Sequence, residues 1–150
     1  MEIEKLRAFL RRHSLIALDT SVFIYQMQDH QRYFACTDCI FDWLDRPGAK
    51  ALTSTITMTE LLVQPYRDHN EKAADKFRGL LSTHPNIAWI APNLDIAVTA
   101  ARIRALNRLE TPDALQAATA VVARAGGLIT NDPVFERVAG VETLILDRLV

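Results

Sequence analysis

The sequence predicts an α/β domain, a parallel sheet with helices packed on both of its faces. Three observations carry that expectation. Short apolar runs, of the length of strands buried on both faces, recur at residues 14–18, 50–54, 87–90, 128–130 and 141–146. Segments with helical spacing of apolar residues separate most of them, which implies right-handed crossovers between parallel strands. Carboxylates also stand where runs end. Asp19 and Asp132 each follow a strand at its carboxyl end, where open α/β sheets place their ligands.

At 150 residues the chain is expected to form one domain over 1–150, large enough to bury a proper core. Hydrophobic residues make up 49% and charged residues 23%, ordinary values for a soluble globular protein. Lys and Arg number 17 against 18 Asp and Glu, a net charge of −1, so there is no global basic footprint for nucleic acid. Any such contact must come from a local patch. The apolar stretches are too short to span a bilayer and the N-terminus lacks a signal-peptide core, so the expected location is the cytoplasm.

Residues 1–13 set Ile3, Leu6, Leu10 and His13 at helical spacing, with Phe9 beside them, so a leading helix should pack on the domain edge. The run 14–18 is the first strand. Asp19 ends it, and Thr20 or Ser21 suits the N-cap of a helix over 20–28. After the break at Asp29-His30, Tyr33, Cys36, Ile40, Trp43 and Leu44 mark the inner stripe of a second helix, stopped by Arg46-Pro47-Gly48. His13 and His30 are expected to be solvated.

Residues 50–54 form the second strand, and Ser54 or Thr55 caps the next helix. Glu60 falls in its early turns, and Pro65 should kink or break it. A helix over 70–81 should turn Phe77, Leu80 and Leu81 inward. The turn His84-Pro85-Asn86 leads into the third strand, 87–90. Pro92-Asn93 then starts a helix with Leu94, Ala97, Val98, Ala101 and Ala105 on one face. Arg104 and Arg108, four apart, share another face. Such a pair is usually surface decoration, but its closeness to the next motif makes both candidates for contacts to RNA phosphates.

That motif, Thr111-Pro112-Asp113-Ala114-Leu115-Gln116, reads as N-cap Thr, Pro at N1 and Asp at N2 of a helix rich in small residues, ended by Gly126-Gly127. Gln116 lies one turn after Asp113 and can steady it or a bound water. Asn131-Asp132-Pro133 leaves the fourth strand abruptly, and Phe135 should turn back to the core. Each acidic residue has a plainer reading, as a helix cap for Asp19 or surface decoration for Glu60. Four in equivalent places favour a shared site. Cys36-Thr37-Asp38-Cys39 spells C-x-x-C, yet no second ligand pair accompanies it and it lies inside a helical pattern, so these cysteines read as small hydrophobes.

Four pieces in order resemble the PIN-domain family, in particular the VapC-type toxin ribonucleases of toxin–antitoxin systems. They are Leu18-Asp19-Thr20-Ser21-Val22, Thr59-Glu60-Leu61-Leu62, Thr111-Pro112-Asp113-Ala114-Leu115 with Ala118-Thr119-Ala120, and Thr130-Asn131-Asp132-Pro133-Val134-Phe135. The resemblance covers roughly residues 14–146. It implies a three-layer α/β/α sandwich with about five parallel strands ordered 3-2-1-4-5. It also implies that Asp19, Glu60, Asp113 and Asp132 are a catalytic acidic quartet binding Mg²⁺ or Mn²⁺, with the Thr130 hydroxyl beside it. Thr20 and Gln116 are expected to support the quartet from behind. Ser21 stands where many members carry Asn, and Gln116 where His is common.

Carboxylates within about 5 Å of one another repel by roughly 3 kcal/mol per pair at an effective dielectric near 20, so a fold keeps such a cluster for a cation or raises its pKa values. Oxygen-only ligands favour Mg²⁺ or Mn²⁺ over zinc. A dehalogenase-type phosphatase would want Asp where Ser21 stands, and a receiver domain would want a late lysine, whereas the lysines end at Lys76. No P-loop or Rossmann glycine pattern is present. The expectation is a metal-dependent endoribonuclease acting on RNA, the toxin of a toxin–antitoxin pair. Its expected partners are an RNA substrate, a cognate antitoxin and a second copy in a homodimer. The alternatives are a PIN-like nuclease of RNA processing without an antitoxin, or a catalytically silent module that binds RNA or a partner.

Overall fold

The structure, a computed structural model, describes residues 1–150. Strands β1 (Ile16–Leu18), β2 (Ala51–Ser54), β3 (Ile87–Ile90), β4 (Gly127–Thr130) and β5 (Glu142–Ile145) form one parallel sheet in the order β3-β2-β1-β4-β5. This is the order that the resemblance implies. The helices are α1 (Ile3–Arg12), α2 (Thr20–Met27), α3 (Phe34–Leu44), α4 (Ile56–Arg67), α5 (Glu71–Ser82), α6 (Leu94–Asn107) and α7 (Thr111–Val122), with 3₁₀ turns at Pro133–Arg137 and Leu146–Leu149. No helix is long and apolar enough to cross a membrane.

Side-chain alternation along the strands builds the three layers. Ile16, Leu18, Ala51, Ile87 and Ile129 face one core with residues of α1 to α5, including Phe9, Phe23, Ile40, Leu44 and Leu61. Ala17, Leu52 and Leu128 point to the other face, where Ile96, Ala100 and Ile103 of α6 and the alanines of α7 cover them. Both faces of the central strands are therefore buried, which is why these strands read as continuous apolar runs.

Several local expectations are corrected. Asp19, not Thr20 or Ser21, is the N-cap position of α2, and no side-chain cap bond is made there. The α4 helix runs through Pro65 to Arg67, and Asn70 N–H reaches back to the Pro65 carbonyl. Pro65 lies in the final turn, and the helix runs only two residues past it. Leu80 is 56% exposed, and Ala74 and Leu81 are the buried residues of α5. The buried stripe of α6 is Ile96, Ala100 and Ile103, leaving Leu94 81% exposed. That helix carries apolar residues on two faces, so spacing alone does not choose between them.

The N-cap of α7 is Glu110, one residue before Thr111, so Asp113 sits at N3. The helix ends at Ala123 and the left-handed Arg124, not at Gly126-Gly127. The glycines serve close approach instead. A Cβ at Gly127 would stand 2.6 Å from the Phe9 ring, and one at Gly126 would stand 2.6 Å from His13 Nδ1. The leading helix thus rests directly on the start of β4. His13 and His30 are not simply solvated: His13 Nε2 bonds Glu142 at 2.7 Å, and His30 stacks on Tyr33 and tilts against Tyr25 in a cluster of three mutually contacting rings. Cys36 is fully buried in the core and Cys39 partly so, both on α3.

Candidate active site

Strand β1 delivers Asp19 to the carboxyl rim of the sheet. Its backbone N–H still pairs with the Ile129 carbonyl of β4, which continues the β1–β4 ladder by one residue and fixes the Cα. Thr130, the last residue of β4, donates its hydroxyl to Asp19 Oδ2 at 2.8 Å, and Ser21 Oγ adds a long contact of 3.4 Å to the same oxygen. The Asp132 N–H in turn donates to Thr130 Oγ1 at 3.1 Å. One hydroxyl therefore links the ends of the two central strands. Asp132 Oδ1 accepts from Val134 N–H at 3.0 Å, starting the 3₁₀ turn after β4.

Glu60 comes from the second turn of α4, and its Oε1 accepts from Thr20 Oγ1 at 2.8 Å. Asp113 enters from the first turn of α7. Asp19 and Asp113 feel the neighbouring carboxylates. Asp19 is only partly covered as a residue, but its carboxyl is desolvated and its pKa is pushed up to about 6. Burial is the main cause; the Thr130 hydrogen bond opposes it, and the charges of Asp113 and Glu60 add to it. Asp113 is also raised, first by desolvation and then by Asp132, Glu60 and Glu110. None of the four takes part in any of the chain's salt bridges.

The donor set suits a hard divalent cation. It is all oxygen, negatively charged and unneutralised by any lysine or arginine. The side chains do not form a closed cage, since no three His, Cys, Asp or Glu groups are gathered tightly enough to hold an ion by themselves. Mg²⁺ keeps several waters and is usually bound through one or two carboxylates, so an open, charge-coupled rim fits it better than it fits a fully dehydrated ion.

Gln116 does not reach Asp113. It is 4% exposed and turned to the sheet, where Nε2 donates to Thr57 Oγ1 at 2.6 Å and lies 3.4 Å from Thr20 Oγ1, while Oε1 accepts from Ser54 N–H at 3.3 Å. Thr53 and Thr57, buried behind Glu60, went unnoticed in the sequence, where threonines four apart across a strand–helix junction were their only signal. Arg104 and Arg108 do not share a helical face. Arg108 lies past α6 in the left-handed region, and Arg104 donates to Thr111 Oγ1 at 3.1 Å, bracing the α6–α7 turn. Both are exposed. Glu60 also borders a groove of about 300 Å³ between α2, α4 and α5, lined by Ile24, Met27, Leu61, Pro65 and Phe77.

The profile of the PIN domain family matches residues 16–141. No sequence among the curated proteins matches. Solved structures similar to this chain include a toxin–antitoxin complex from Klebsiella pneumoniae, 24% identical with a TM-score of 0.65, over 87% of this chain and 97% of that one. FitAcB from Neisseria gonorrhoeae is 22% identical with a TM-score of 0.68, over 89% and 99%. VapC20 from Mycobacterium tuberculosis, described as a Sarcin-Ricin loop cleaving toxin, is 15% identical with a TM-score of 0.68, over 85% and 97%. At these identities the likeness is one of fold.

Proposed function

This chain belongs to the PIN-domain family, and on that premise we propose that it is a divalent-metal-dependent endoribonuclease, the toxin of a toxin–antitoxin pair. The observation that carries the reading is the unpaired, charge-coupled cluster of Asp19, Glu60, Asp113 and Asp132 at the carboxyl rim of the sheet. These four residues would hold Mg²⁺ or Mn²⁺. When bound, the ion supplies an activated water for in-line attack on a phosphodiester and neutralises charge that develops on the phosphate oxygens.

The remaining work falls to the chain itself. Thr130 and Ser21 both approach Oδ2 of Asp19, which holds the carboxylate plane and leaves Oδ1 without a side-chain donor. Thr20 fixes Glu60 in the same way. The raised affinity of Asp19 and Asp113 for protons expresses a site that prefers to be neutralised, and a cation does this at neutral pH without protonation. Arg104 and Arg108, both exposed at the α6–α7 turn, are the proposed contacts to RNA phosphates.

An antitoxin partner is supported by solved neighbours that are toxin–antitoxin complexes. A second copy of the chain is supported by Leu94, Val98 and Leu106, exposed along α6. Purified protein should cleave single-stranded or loop RNA with Mg²⁺ or Mn²⁺ and stop in excess chelator. Replacing Arg104 and Arg108 together by Ala should weaken RNA binding and flatten its salt dependence. Undiminished, specific cleavage in chelator overturns the mechanism.

A further inference from the structure

We propose that Gln116 is a positioning residue for Glu60, acting through Thr20: its amide donates to Thr57 and Thr20 from the inner side, so that the one Thr20 hydroxyl proton stays free for the Glu60 carboxylate. The proposal rests on the reading of Glu60 as part of the metal-holding cluster. It starts from a composition that asks for an explanation. The α7 helix buries Ala114, Ala117, Ala118 and Ala120, and among them a single amide side chain, Gln116. A buried amide costs free energy unless its donors and acceptor are matched.

Counting protons orders the chain. Ser54 N–H can only donate, so the group facing it at 3.3 Å is Gln116 Oε1, and Nε2 must face the hydroxyls. The Leu18 carbonyl can only accept, so Thr53 spends its one hydroxyl proton there, at 2.8 Å. Thr57 Oγ1, 2.7 Å from Thr53 Oγ1, must then donate to it. Thr57 accordingly receives its 2.6 Å contact from Gln116 Nε2. The second proton of Nε2 points toward Thr20 Oγ1 at 3.4 Å. Thr20 Oγ1 also stands 3.2 Å from Thr57 Oγ1, which has no proton left to give it and already accepts from Gln116; the Thr20 proton therefore goes outward to Glu60 Oε1, a carboxylate oxygen that only accepts, at 2.8 Å.

The Leu18 carbonyl thus orients Thr53 and Thr57, the Ser54 N–H orients the Gln116 amide, and that amide donates to both Thr57 and Thr20 from the inner side. Glutamate at position 116 would accept where the amide donates. It would draw the Thr57 and Thr20 protons inward and leave Glu60 without its donor. Methionine fills similar space but removes both amide donors, which leaves Thr57 free to accept the Thr20 proton across 3.2 Å and should weaken the hold on Glu60 as well.

The test measures Mn²⁺ affinity by calorimetry, with melting in chelator, for wild type and for Gln116→Glu, Gln116→Met, Thr20→Val and Thr20→Ser. Gln116→Glu and Thr20→Val should each weaken Mn²⁺ binding by about tenfold or more, as loss of a group that orients a ligand commonly does. Thr20→Ser, which keeps the hydroxyl, should bind as wild type. The double variant Gln116→Glu with Thr20→Val should be no weaker than the worse single one, because both break the same path. Folded variants at Gln116 that bind Mn²⁺ within twofold of wild type overturn the proposal. The side-chain amide of Gln116, followed by nitrogen NMR without metal, decides the case if Gln116→Glu does not fold. A locked amide gives exchange-protected proton signals that move in Thr20→Val and stay in Thr20→Ser, whereas a freely exchanging amide overturns the proposal. Wild type that neither binds Mn²⁺ nor cuts RNA would instead sink the nuclease reading, and the amide measurement depends on neither property.

Discussion

Asp19, Glu60, Asp113 and Asp132 come from strand ends and helix starts at the carboxyl rim of the sheet, and none of them forms a salt bridge. Along the outer edge, where α1 covers β5 and the C-terminal turns, the carboxylates are paired: Glu2 with Lys5, Glu142 with Arg12 and His13, and Glu136 with Arg148. The two regions shift protons in opposite directions. Hydrogen bonds from Arg12 hold Glu142 below the usual carboxylate range, and those from Arg148 do the same for Glu136. Desolvation drives Asp19 and Asp113 above it. A fold assembled only for stability would have no reason to keep the second arrangement. The edge uses charge as ordinary surface chemistry, while the rim holds charge that is costly until something outside the chain neutralises it.

The largest effect should come from discharging the rim. Asp19→Asn keeps an acceptor for Thr130 and should reduce RNA cleavage by at least about a hundredfold, since the carboxylate is a proposed ligand. Its stability should move the other way. The folded-state pKa of Asp19, about 6, lies above its ordinary 3.8, so the folded protein holds this proton more tightly than the unfolded chain. The resulting stability is present below pH 4 and is lost as pH rises through about 6, roughly 3 kcal/mol in all. In chelator the mutant should therefore melt above wild type at pH 7, with the gap closing as the pH approaches 4. In Mn²⁺ at pH 7 the gap should narrow or invert, because wild type gains binding energy that the mutant lacks. Thermal melts at several pH values decide it. A mutant less stable than wild type in chelator at pH 7 would make Asp19 a structural residue.

The same contrast explains what could be read from the sequence. The strands were legible because β1, β2 and β4 are buried on both faces and must be apolar throughout, whereas their order followed only from the resemblance of the four motifs. The acidic positions were legible because strand ends and helix starts converge wherever parallel strands alternate with helices. The face that α6 buries was not, because Leu94 and Val98 form as good an apolar stripe as Ile96, Ala100 and Ile103. The role of Gln116 was not legible either. Its partners Ser54, Thr57 and Thr20 lie about 60 to 96 residues away in sequence, and a polar residue inside a helix reads alike whether it faces water or a buried hydroxyl. Gly126-Gly127 looked like a helix stop because the close approach of Phe9 and His13 to it is a tertiary fact.

A second, intermediate effect should appear at the edge and leave the rim untouched. In Gly127→Ala the new Cβ would meet Phe9 Cζ at 2.6 Å and Cε1 at 2.8 Å, closer than real side chains come. Phe9 is 1% exposed and has no room to swing aside, so α1 must lift or β4 must shift. Overpacking of this kind costs about 1–3 kcal/mol, visible in a urea or thermal melt. RNA cleavage measured well below the melting temperature should stay near wild type, because Asp19, Glu60, Asp113 and Asp132 do not touch the α1 contact. Cleavage that collapses in a folded Gly127→Ala protein would show that the two regions are coupled.

The smallest effect tests whether the edge charges are as dispensable as their exposure suggests. Glu142 accepts from Arg12 and from His13 Nε2, yet its side chain is 45% exposed and that of Arg12 is 49% exposed. Water competes for both groups, and ordering two long side chains offsets much of the attraction, so exposed pairs contribute little. Glu142→Gln keeps the size and an oxygen that can accept from His13 Nε2, removing only the charge. Its melting temperature should stay within about 2 °C of wild type at moderate salt, and any deficit should shrink further at high salt. Cleavage should be unchanged. The comparison sharpens if the variant is also melted in Mn²⁺: the metal response should match wild type, because the charge lost at β5 is not one the ion reads. A drop of many degrees would mean that Glu142, by holding Arg12 and His13 over Gly126-Gly127, anchors the leading helix to the sheet. In that case edge and rim would differ in how they use charge, not in how much depends on it.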